Sequence, residues 1–423
     1  MNSKNSSAMN KPQIRFKGFD DEWEQAKVKE VFTLGNGYTP SKANPAFWTN
    51  GTIPWFRMED IREKGRILSD SIQHVTPEAV KSSGLIPAGS IIVSTTATIG
   101  EHALLIADSL ANQQFTIFQT VNRWASLSSK YLLYRFYGLG DWCRRNVNAG
   151  GLAAVSISDL QKYDIDFPSS ALEREGIADF FSNLDEMIAK VAREISRLEK
   201  MKQASLQKMF PRPGKTTPEI RFAGFSDPWD VTEIGKVMGV GSVKRIHQED
   251  WQTYGIRFLR ARDIVAALKG DDIEDKLYIS PKLYEQFSSI SGKVSEGDLL
   301  VTGVGTIGVP YLIKDNSPLY FKDGNIIWFK NNNYFDGWFL FYSFISAPIQ
   351  NYIMMSAGTG TVGTYTIESG KVTPISFPCI CEQKKIGEYF RNLDSLLSAK
   401  RQKLAKLRNV KQACLDKMFV NNS

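Results

Sequence analysis

The sequence is poor in the side chains that most enzymes of this size use for chemistry. It has 3 histidines and 4 cysteines in 423 residues. Cys143, Cys379, Cys381 and Cys414 are too few and too scattered for a disulfide framework, and they fit a reducing cytoplasm. Cys379 and Cys381 form one C-x-C with no second pair, so no zinc site is expected. There is no run of 18 apolar residues, which argues against a membrane-spanning helix. The opening MNSKNSSAMNK is polar and lacks an apolar centre, so it is expected to be a disordered tail and not a signal peptide. No GxxxxGK[ST] is present, so nothing reads as a nucleotide-driven motor. No Ser-His-Asp or Cys-His constellation can be nominated.

Three short matches to catalytic signatures read better as structure. Ser226-Asp227-Pro228-Trp229 resembles the D-P-P-W box of amino-methyltransferases, but the second proline is missing. Its twin at Asp20–Trp23 reads D-D-E-W, so the segment is taken as a staple where each lobe opens. Gly239-Val240-Gly241 and Gly303-Val304-Gly305 are lone G-x-G pairs, read as loop turns. Glu274-Asp275-Lys276 following Asp263 mimics the D…E-x-K of nucleases, a pattern that arises by chance in a stretch rich in Lys and Asp.

What the chain does have is a long amphipathic stretch, used twice. From Leu172 to Phe210 apolar residues fall at Ile177, Phe181, Leu184, Ile188, Val191, Ile195 and Leu198. That heptad rhythm predicts a coiled-coil helix, stopped by Pro211 and Pro213. Glu382 to Phe419 repeats it with Ile386, Phe390, Leu393, Leu397, Leu404, Leu407, Cys414 and Met418, and with Lys400 and Lys411 in seam positions. Phe181-Ser182-Asn183-Leu184-Asp185 returns as Phe390-Arg391-Asn392-Leu393-Asp394, and Leu206–Phe210 returns as Leu415–Phe419, always 209 positions later. A seam of this width needs a partner, and the nearest is the other copy. Helix one carries the chain to the second lobe, and helix two must run back along it, so an antiparallel pair is expected.

The lobes repeat too. Pro12, Ile14, Arg15, Phe16, Gly18, Phe19, Asp21 and Trp23 return as Pro218, Ile220, Arg221, Phe222, Gly224, Phe225, Asp227 and Trp229. Gly89, Val93 and Thr98-Ile99-Gly100 match Gly297, Val301 and Thr306-Ile307-Gly308. Gly89–Val93, Phe115–Val121, Gly297–Val301 and Ile326–Phe329 read as strands, and Lys130–Tyr137 and Trp338–Ile345 as short aromatic helices. Long loops at Gly35–Asn50, Ala149–Ala154, Gly239–Gln252 and Ala357–Thr366 separate them, and loops of that length are usually functional. The expected fold is α+β: two mixed α/β lobes related by a pseudo-two-fold axis and separated by a long antiparallel two-helix coiled coil. Residues 1–11 form the tail, 12–170 the first lobe, 171–211 the central helix, 212–381 the second lobe and 382–420 the C-terminal helix.

The net charge is +7, and residues 382–423 account for most of it, with 10 Lys/Arg against 4 Asp/Glu. A basic chain with aromatic-rich lobes suggests an acidic polymer as partner. The bland alternative is a solubilising charged helix face.

Two divergent lobes alternating with two near-identical helices make a specific layout. With P-x-I-R-F-x-G-F opening each lobe, GNGYTPSKANPAFW ahead of Ile53–Ile61, and FFSNLD and YFRNLD in the helices, the sequence resembles the specificity (S) subunit of type I restriction–modification enzymes. The resemblance runs from Pro12 to Phe419; the second lobe keeps Arg260, Asp263 and Ile264 but lacks the T-P-S-K loop. It implies two target-recognition domains, each reading one half of a split site in double-stranded DNA. It also implies helices that set the spacer and dock two copies of a modification subunit, which would carry the S-adenosylmethionine site and methylate adenine. Restriction subunits could join; the chain itself would have no catalysis, cofactor or membrane contact and would be cytoplasmic.

A helix of this length spans roughly 60 Å, more than the about 34–36 Å between grooves one turn apart, so its ends should embed in the lobes or in partners. Candidate DNA contacts in lobe one are Asn36, Tyr38 and Lys42 with Arg57, Thr95, Thr96 and Thr98. In lobe two they are Lys244, Arg245, Arg260, Arg262, Thr302 and Thr306. Arg57 and Arg260 could instead form ion pairs with Asp60 and Asp263, and Trp55 and Trp251 are expected to pack. Asn183, Asp185, Asn392 and Asp394 are candidates for docking the partner. A coiled-coil interaction scaffold without DNA binding, or an enzyme of unrecognised type such as a nuclease, are the competing classes.

Overall fold

The computed structural model describes residues 11–148, 153–357 and 363–420. The chain divides into two compact units, residues 1–191 with 403–423, and residues 192–402. Each unit therefore holds one lobe with a part of each long helix. In the first, the order is β1 (Glu24–Lys27), α1 (Val28–Val31), β2 (Phe32–Asn36), β3 (Ile53–Phe56), α2 (Met58–Lys64), β4 (Ile67–Leu68) and β5 (Gln73–Val75). It continues with β6 (Ile91–Ser94), β7 (His102–Leu105), β8 (Leu110–Ala111), β9 (Phe115–Thr120), α3 (Ser129–Arg145), α4 (Ile157–Leu160) and β10 (Asp164–Phe167). The long helix α5 (Ala171–Lys208) follows. The second lobe has β11 (Asp230–Glu233), β12 (Gly239–Gly241), β13 (Ile256–Leu259), α6 (Ala261–Lys269), β14 (Leu277–Ile279), α7 (Pro281–Ser291) and β15 (Leu299–Thr302). Then come β16 (Pro310–Leu312), β17 (Leu319–Phe321), β18 (Ile326–Lys330), α8 (Gly337–Ile345), α9 (Ala347–Ser356), α10 (Ile367–Lys371), β19 (Pro374–Phe377) and the second long helix α11 (Ile380–Met418).

Both lobes use one plan. Lobe one has a sheet ordered β2-β9-β6-β7-β4 and a smaller one ordered β5-β3-β8; lobe two has β12-β18-β15-β16 and β14-β13-β17. In each smaller sheet the central strand pairs in parallel with one neighbour, β3 with β8 and β13 with β17. Each lobe is closed by an antiparallel pair between its first and last strands, β1 with β10 and β11 with β19. The expected strands form within a residue or two, and the helix expected at Lys130–Tyr137 continues to Arg145. Residues 149–152 and 358–362, within two of the expected loops, lie outside the described residues.

The unbroken apolar runs in β6 and β15 follow from sheets covered on both faces. Side chains alternate across a strand. Ile91 and Val93 join the core built on α3, while Ile92 joins a second core with Phe56 and Leu68. Likewise Leu299 and Val301 pack with α8, and Leu300 with Leu259 and Ile264. The Gly239-Val240-Gly241 segment is not a turn, as expected from sequence, but strand β12, paired with Lys330, Phe329 and Trp328. A ladder uses only backbone groups, so long-range pairing overrides the local preference of glycine. Gly303–Gly305 is a turn, with Gly305 at φ 78°.

Within each unit the two long helices run antiparallel. In the first, the Phe181 and Phe419 rings stack 5.8 Å apart and Lys411 bonds Asp185 at 2.6 Å. In the second, Lys400 bonds Glu194 at 2.6 Å, Lys202 bonds Asp394 at 2.5 Å and Phe210 stacks on Phe390. The two lysines at seam positions thus meet carboxylates on α5. Leu184, Val191, Ile195, Leu393 and Leu397 are buried, while Ile188, Leu404 and Leu407 are only half-buried.

The segment that opens each lobe is latched to the start of a long helix. Arg15 donates from Nε and Nη2 to Glu173 at 2.6 and 2.8 Å, and from Nη1 to Asp21 O at 2.6 Å. Arg221 makes the same three contacts, with Glu382 at 2.7 and 2.8 Å and with Asp227 O at 2.6 Å. Both carboxylates are fully buried. Trp23 is buried against Phe419, and Trp229 against Phe210 and Phe339, so the S-D-P-W segment is a packing staple. Among the described residues no helix is long and apolar enough to cross a membrane.

Candidate nucleic-acid interface

The parallel strand pairs gather most of the candidate residues of each lobe at one edge. In lobe two, β13 and β17 run in parallel with Leu259 opposite Phe321, so the residues after each lie at the same end. Lys322 N donates to Leu259 O at 2.8 Å across that end. Arg260 and Arg262 follow β13. Arg245 arrives from the β12–β13 loop and is held there by Asp323 at 2.8 Å, and Tyr320 donates to Lys244 O at 2.8 Å.

Lobe one builds the same edge with other residues. Phe56 stands opposite Ala111, and Arg57 follows. The Asn36–Lys42 loop is drawn to this end by Gly37 N, bonded to Phe115 O at 2.9 Å, and Tyr38 N, bonded to Ala111 O at 2.8 Å. A Cβ on Gly37 would lie 2.1 Å from Asn112 O, so only glycine fits this approach. Thr39 then bonds Gln113.

At this edge the candidates divide. Asn36, Lys42, Lys244, Arg245, Arg262 and Thr306 are exposed. Arg262 pairs with Asp275, and its side chain remains 55% exposed. Exposed ion pairs of this kind exchange partners cheaply, so phosphate or a guanine edge can replace the carboxylate. Thr96 and Thr98 are half-buried behind them, and the Thr98 hydroxyl lies 3.4 Å from that of Ser94.

Several candidates prove structural. Thr302 is fully buried: its hydroxyl donates to Thr306 O and accepts from Val309 N at 3.0 Å. Thr95 is buried, with its hydroxyl 3.2 Å from that of Thr116. Both are engaged within their own lobe. Tyr38 is half-buried; its hydroxyl donates to Ala79 O at 3.1 Å and accepts from Lys81 N at 3.1 Å, which makes it a post inside the loop. Arg260 pairs with Asp263 at 3.0 Å and donates to Asp275 O at 2.8 Å, with 17% of its side chain exposed. Asp263 is held below the usual carboxylate range: burial pushes it up, and hydrogen bonds and charge from Arg260 and Arg257 outweigh that. Of the residues in the D…E-x-K match, Asp263 is paired with Arg257 and Arg260 and Lys276 with Asp272 at 2.9 Å, so two of the three have structural partners.

Arg57 differs from the expected ion pair. Asp60 accepts from the backbone N–H of Arg57 at 2.7 Å and of Ile72 at 2.6 Å, and the guanidinium does not pair with it. That group instead lies over the Trp55 ring at 5.5 Å and 3.9 Å from Glu59. Trp55 is buried and Trp251 packs on Phe258, as expected.

Two groups at the edge escaped the sequence reading. Asn112, Gln113 and Gln114 line it in lobe one, and Lys322 joins it in lobe two. The run of three amides was the available signal, since amide side chains suit the paired donor and acceptor of adenine. Among the docking candidates, Asn183 and Asn392 are exposed, but Asp185 and Asp394 are engaged within the chain by Lys411 and Lys202. Among the described residues no group of three or more His, Cys, Asp or Glu side chains is placed to hold a metal ion.

Known proteins share this architecture. Residues 20–200 match the family model of the type I restriction modification DNA specificity domain. Over 152 residues the chain is 46% identical to the type I restriction enzyme EcoprrI specificity subunit of Escherichia coli, covering 36% of this chain and 37% of that one. It is 26% identical over 214 residues to the EcoR124I/EcoR124II specificity subunit of Escherichia coli, covering 47% and 51%. The matches thus span between about a third and a half of these relatives' length. Among solved structures, the S subunit of a type I restriction-modification system from M. genitalium superposes with a TM-score of 0.60 at 14% identity, over 98% of this chain and 100% of that one. A chain from the type I R-M system, solved to explain complex assembly and conformational transition, gives 0.53 at 17% identity over 94% and 97%. Residues 20–200 are thus similar to the type I restriction modification DNA specificity domain, and the chain shares its fold with the S subunit from M. genitalium.

Proposed function

We propose that this chain is the DNA-reading, non-catalytic subunit of a type I restriction–modification complex in the cytoplasm. Each lobe reads one half of a bipartite site in double-stranded DNA. The long helices set the spacer and dock two modification subunits, which bring S-adenosylmethionine and methylate adenine; restriction subunits can join. One observation carries the reading. The same edge, at the end of a parallel strand pair, is built on the same scaffold in both lobes yet holds different polar groups. Lobe one offers Asn36, Lys42, Arg57 and Asn112–Gln114, and lobe two offers Lys244, Arg245, Arg262 and Lys322. Two readers of different half-sites need this combination: fixed frames and changed base-reading groups. The basic excess on the second helix favours the same partner.

The test is a lobe exchange. Replacing residues 12–170 with the matching lobe of a relative, and mapping methylated adenines in cells that also supply the modification subunit, should change one half-site and leave the other intact. Alteration of both half-sites together would replace two readers with a single composite surface. No shift of a duplex carrying the mapped site, at low salt, would favour the interaction-scaffold reading.

A further inference from the structure

Outside the reading edges, one set of contacts occurs twice in nearly identical form. Asp185 on α5 accepts Lys411 Nζ of α11 at 2.6 Å on one oxygen and the Tyr134 hydroxyl of α3 at 3.1 Å on the other. Asp394 on α11 accepts Lys202 Nζ of α5 at 2.5 Å and the Tyr342 hydroxyl of α8 at 2.8 Å. Each lysine also lies 5.7 Å from the centre of its tyrosine ring. Burial pushes both tyrosine hydroxyls far above their ordinary pKa, and the neighbouring aspartate adds to this, so each remains a donor. Each carboxylate therefore joins three bodies: its own helix, the opposing helix and one helix of the lobe packed on them, α3 or α8.

These contacts add little to stability. The aspartate side chains are 41% and 39% exposed, and pairs so open to water contribute about 1 kcal/mol or less. Their value is geometric. A leucine seam tolerates sliding, whereas a polar residue in the seam admits one register. Sliding either helix by one turn, about 5.4 Å, moves a lysine beyond reach of its carboxylate, and that distance exceeds one base-pair step of about 3.4 Å. Rotation of the lobe on the helices breaks the tyrosine bond in the same way.

We propose that the Tyr134–Asp185–Lys411 and Tyr342–Asp394–Lys202 triads are positioning residues that fix the number of base pairs between the two half-sites. The inference rests on the two-reader function above. The experiment is a methylated-adenine map for K202M/K411M in the full chain expressed with the modification subunit. The unaltered chain should modify sites of one gap length. The double variant should modify the same half-sites at additional gap lengths, with off-length sites rising at least 10-fold, and K202R/K411R should restore the single gap. Y134F/Y342F keeps both rings and removes only the hydroxyls, so it gives the same readout with the packing intact. A uniform loss of methylation with the gap unchanged in both double variants would make the triads merely structural and overturn the inference, leaving the two-reader function standing. Absence of methylation by the unaltered complex would overturn both.

Discussion

Glu382→Ala tests the latch that joins the second lobe to its helix. The Glu382 carboxylate is fully buried and takes two hydrogen bonds from Arg221, whose side chain is only 12% exposed. Truncation leaves a nearly buried guanidinium with the Asp227 carbonyl as its remaining latch contact. Removing one partner of a buried pair costs about 3–5 kcal/mol, and the carbonyl and the small exposure place this case near the lower end. The carboxylate also stands in the first turn of α11, where an anion is favoured by about 0.5 kcal/mol. The latch closes the base of the β11–β19 pair, because the arm runs directly into β11 and β19 runs directly into α11. A local loss of about 3 kcal/mol should therefore speed amide exchange in these two strands by about 100-fold. Hydrogen-exchange mass spectrometry on peptides covering β11 and β19, with β1 and β10 as internal reference, measures it. The Arg15–Glu173 latch belongs to the other unit, so the reference strands should exchange at the unaltered rate. Unchanged exchange in β11 and β19, or equal acceleration in both pairs, would refute the reasoning.

Two further outcomes follow from burial. His102 is fully buried, with Nε2 against Leu133 O at 2.9 Å, and burial followed by the charge of Arg66 depresses its pKa to about 3. A histidine kept neutral in the fold protonates first in the unfolded chain, so its contribution is fully present above about pH 6.5 and is lost as pH falls towards 3. By pH 5 the loss is about 2 kcal/mol, and His102→Gln should flatten the stability profile between pH 6.5 and 4 in chemical unfolding followed at several pH values; an unchanged slope contradicts the assignment. On the helices, Val191→Asp buries an unpaired charge and should cost about 3–5 kcal/mol, whereas Leu404→Asp, at a half-buried position, should cost less than half of that. Thermal melting of the two variants decides it, and equal losses would show that the seam is closed evenly along its length.

The periodic features were legible and the paired ones were not. Heptad spacing located α5 and α11 to within two residues, because helix burial depends on positions three and four apart. Short apolar runs located β6, β9, β15 and β18 for a similar local reason. Thr95 and Thr302 read as open because a hydroxyl at a strand end looks exposed until its acceptor is known. For Thr95 that partner is Thr116, and for Tyr38 the partners are Ala79 and Lys81, all more than 20 residues away. The partners of Asp185 and Asp394 were hidden likewise: heptad position says that an aspartate flanks the seam, but not that a lysine more than 190 residues away reaches it. Arg260 shows the local case succeeding, since Asp263 lies one turn along. Arg57 shows the same spacing without the ion pair, because its guanidinium turns to Trp55 and Glu59 instead.

The side-chain contacts that join each lobe to the helices are present twice in this chain, whereas a buried ion pair inside lobe one is not. The two arginine–glutamate latches and the two Tyr–Asp–Lys triads agree to within a few tenths of an ångström. The buried Arg135–Asp166 pair of lobe one has no such twin. Offsetting Arg135 by the spacing of Tyr134 and Tyr342 gives Ser343, and offsetting Asp166 by that of Ile165 and Ile375 gives Ser376. Both serines line a groove of about 460 Å³ in lobe two. An ion pair buried within one lobe can thus be exchanged for small residues and open space without moving the junctions. A helix pair that meets two lobes through the same chemistry can hold lobes that differ inside, provided each keeps its arginine, its tyrosine and the strand pair that closes it. On this arrangement the sequence a lobe reads and the place where it is held are set by separate residues, so changing one leaves the other in place.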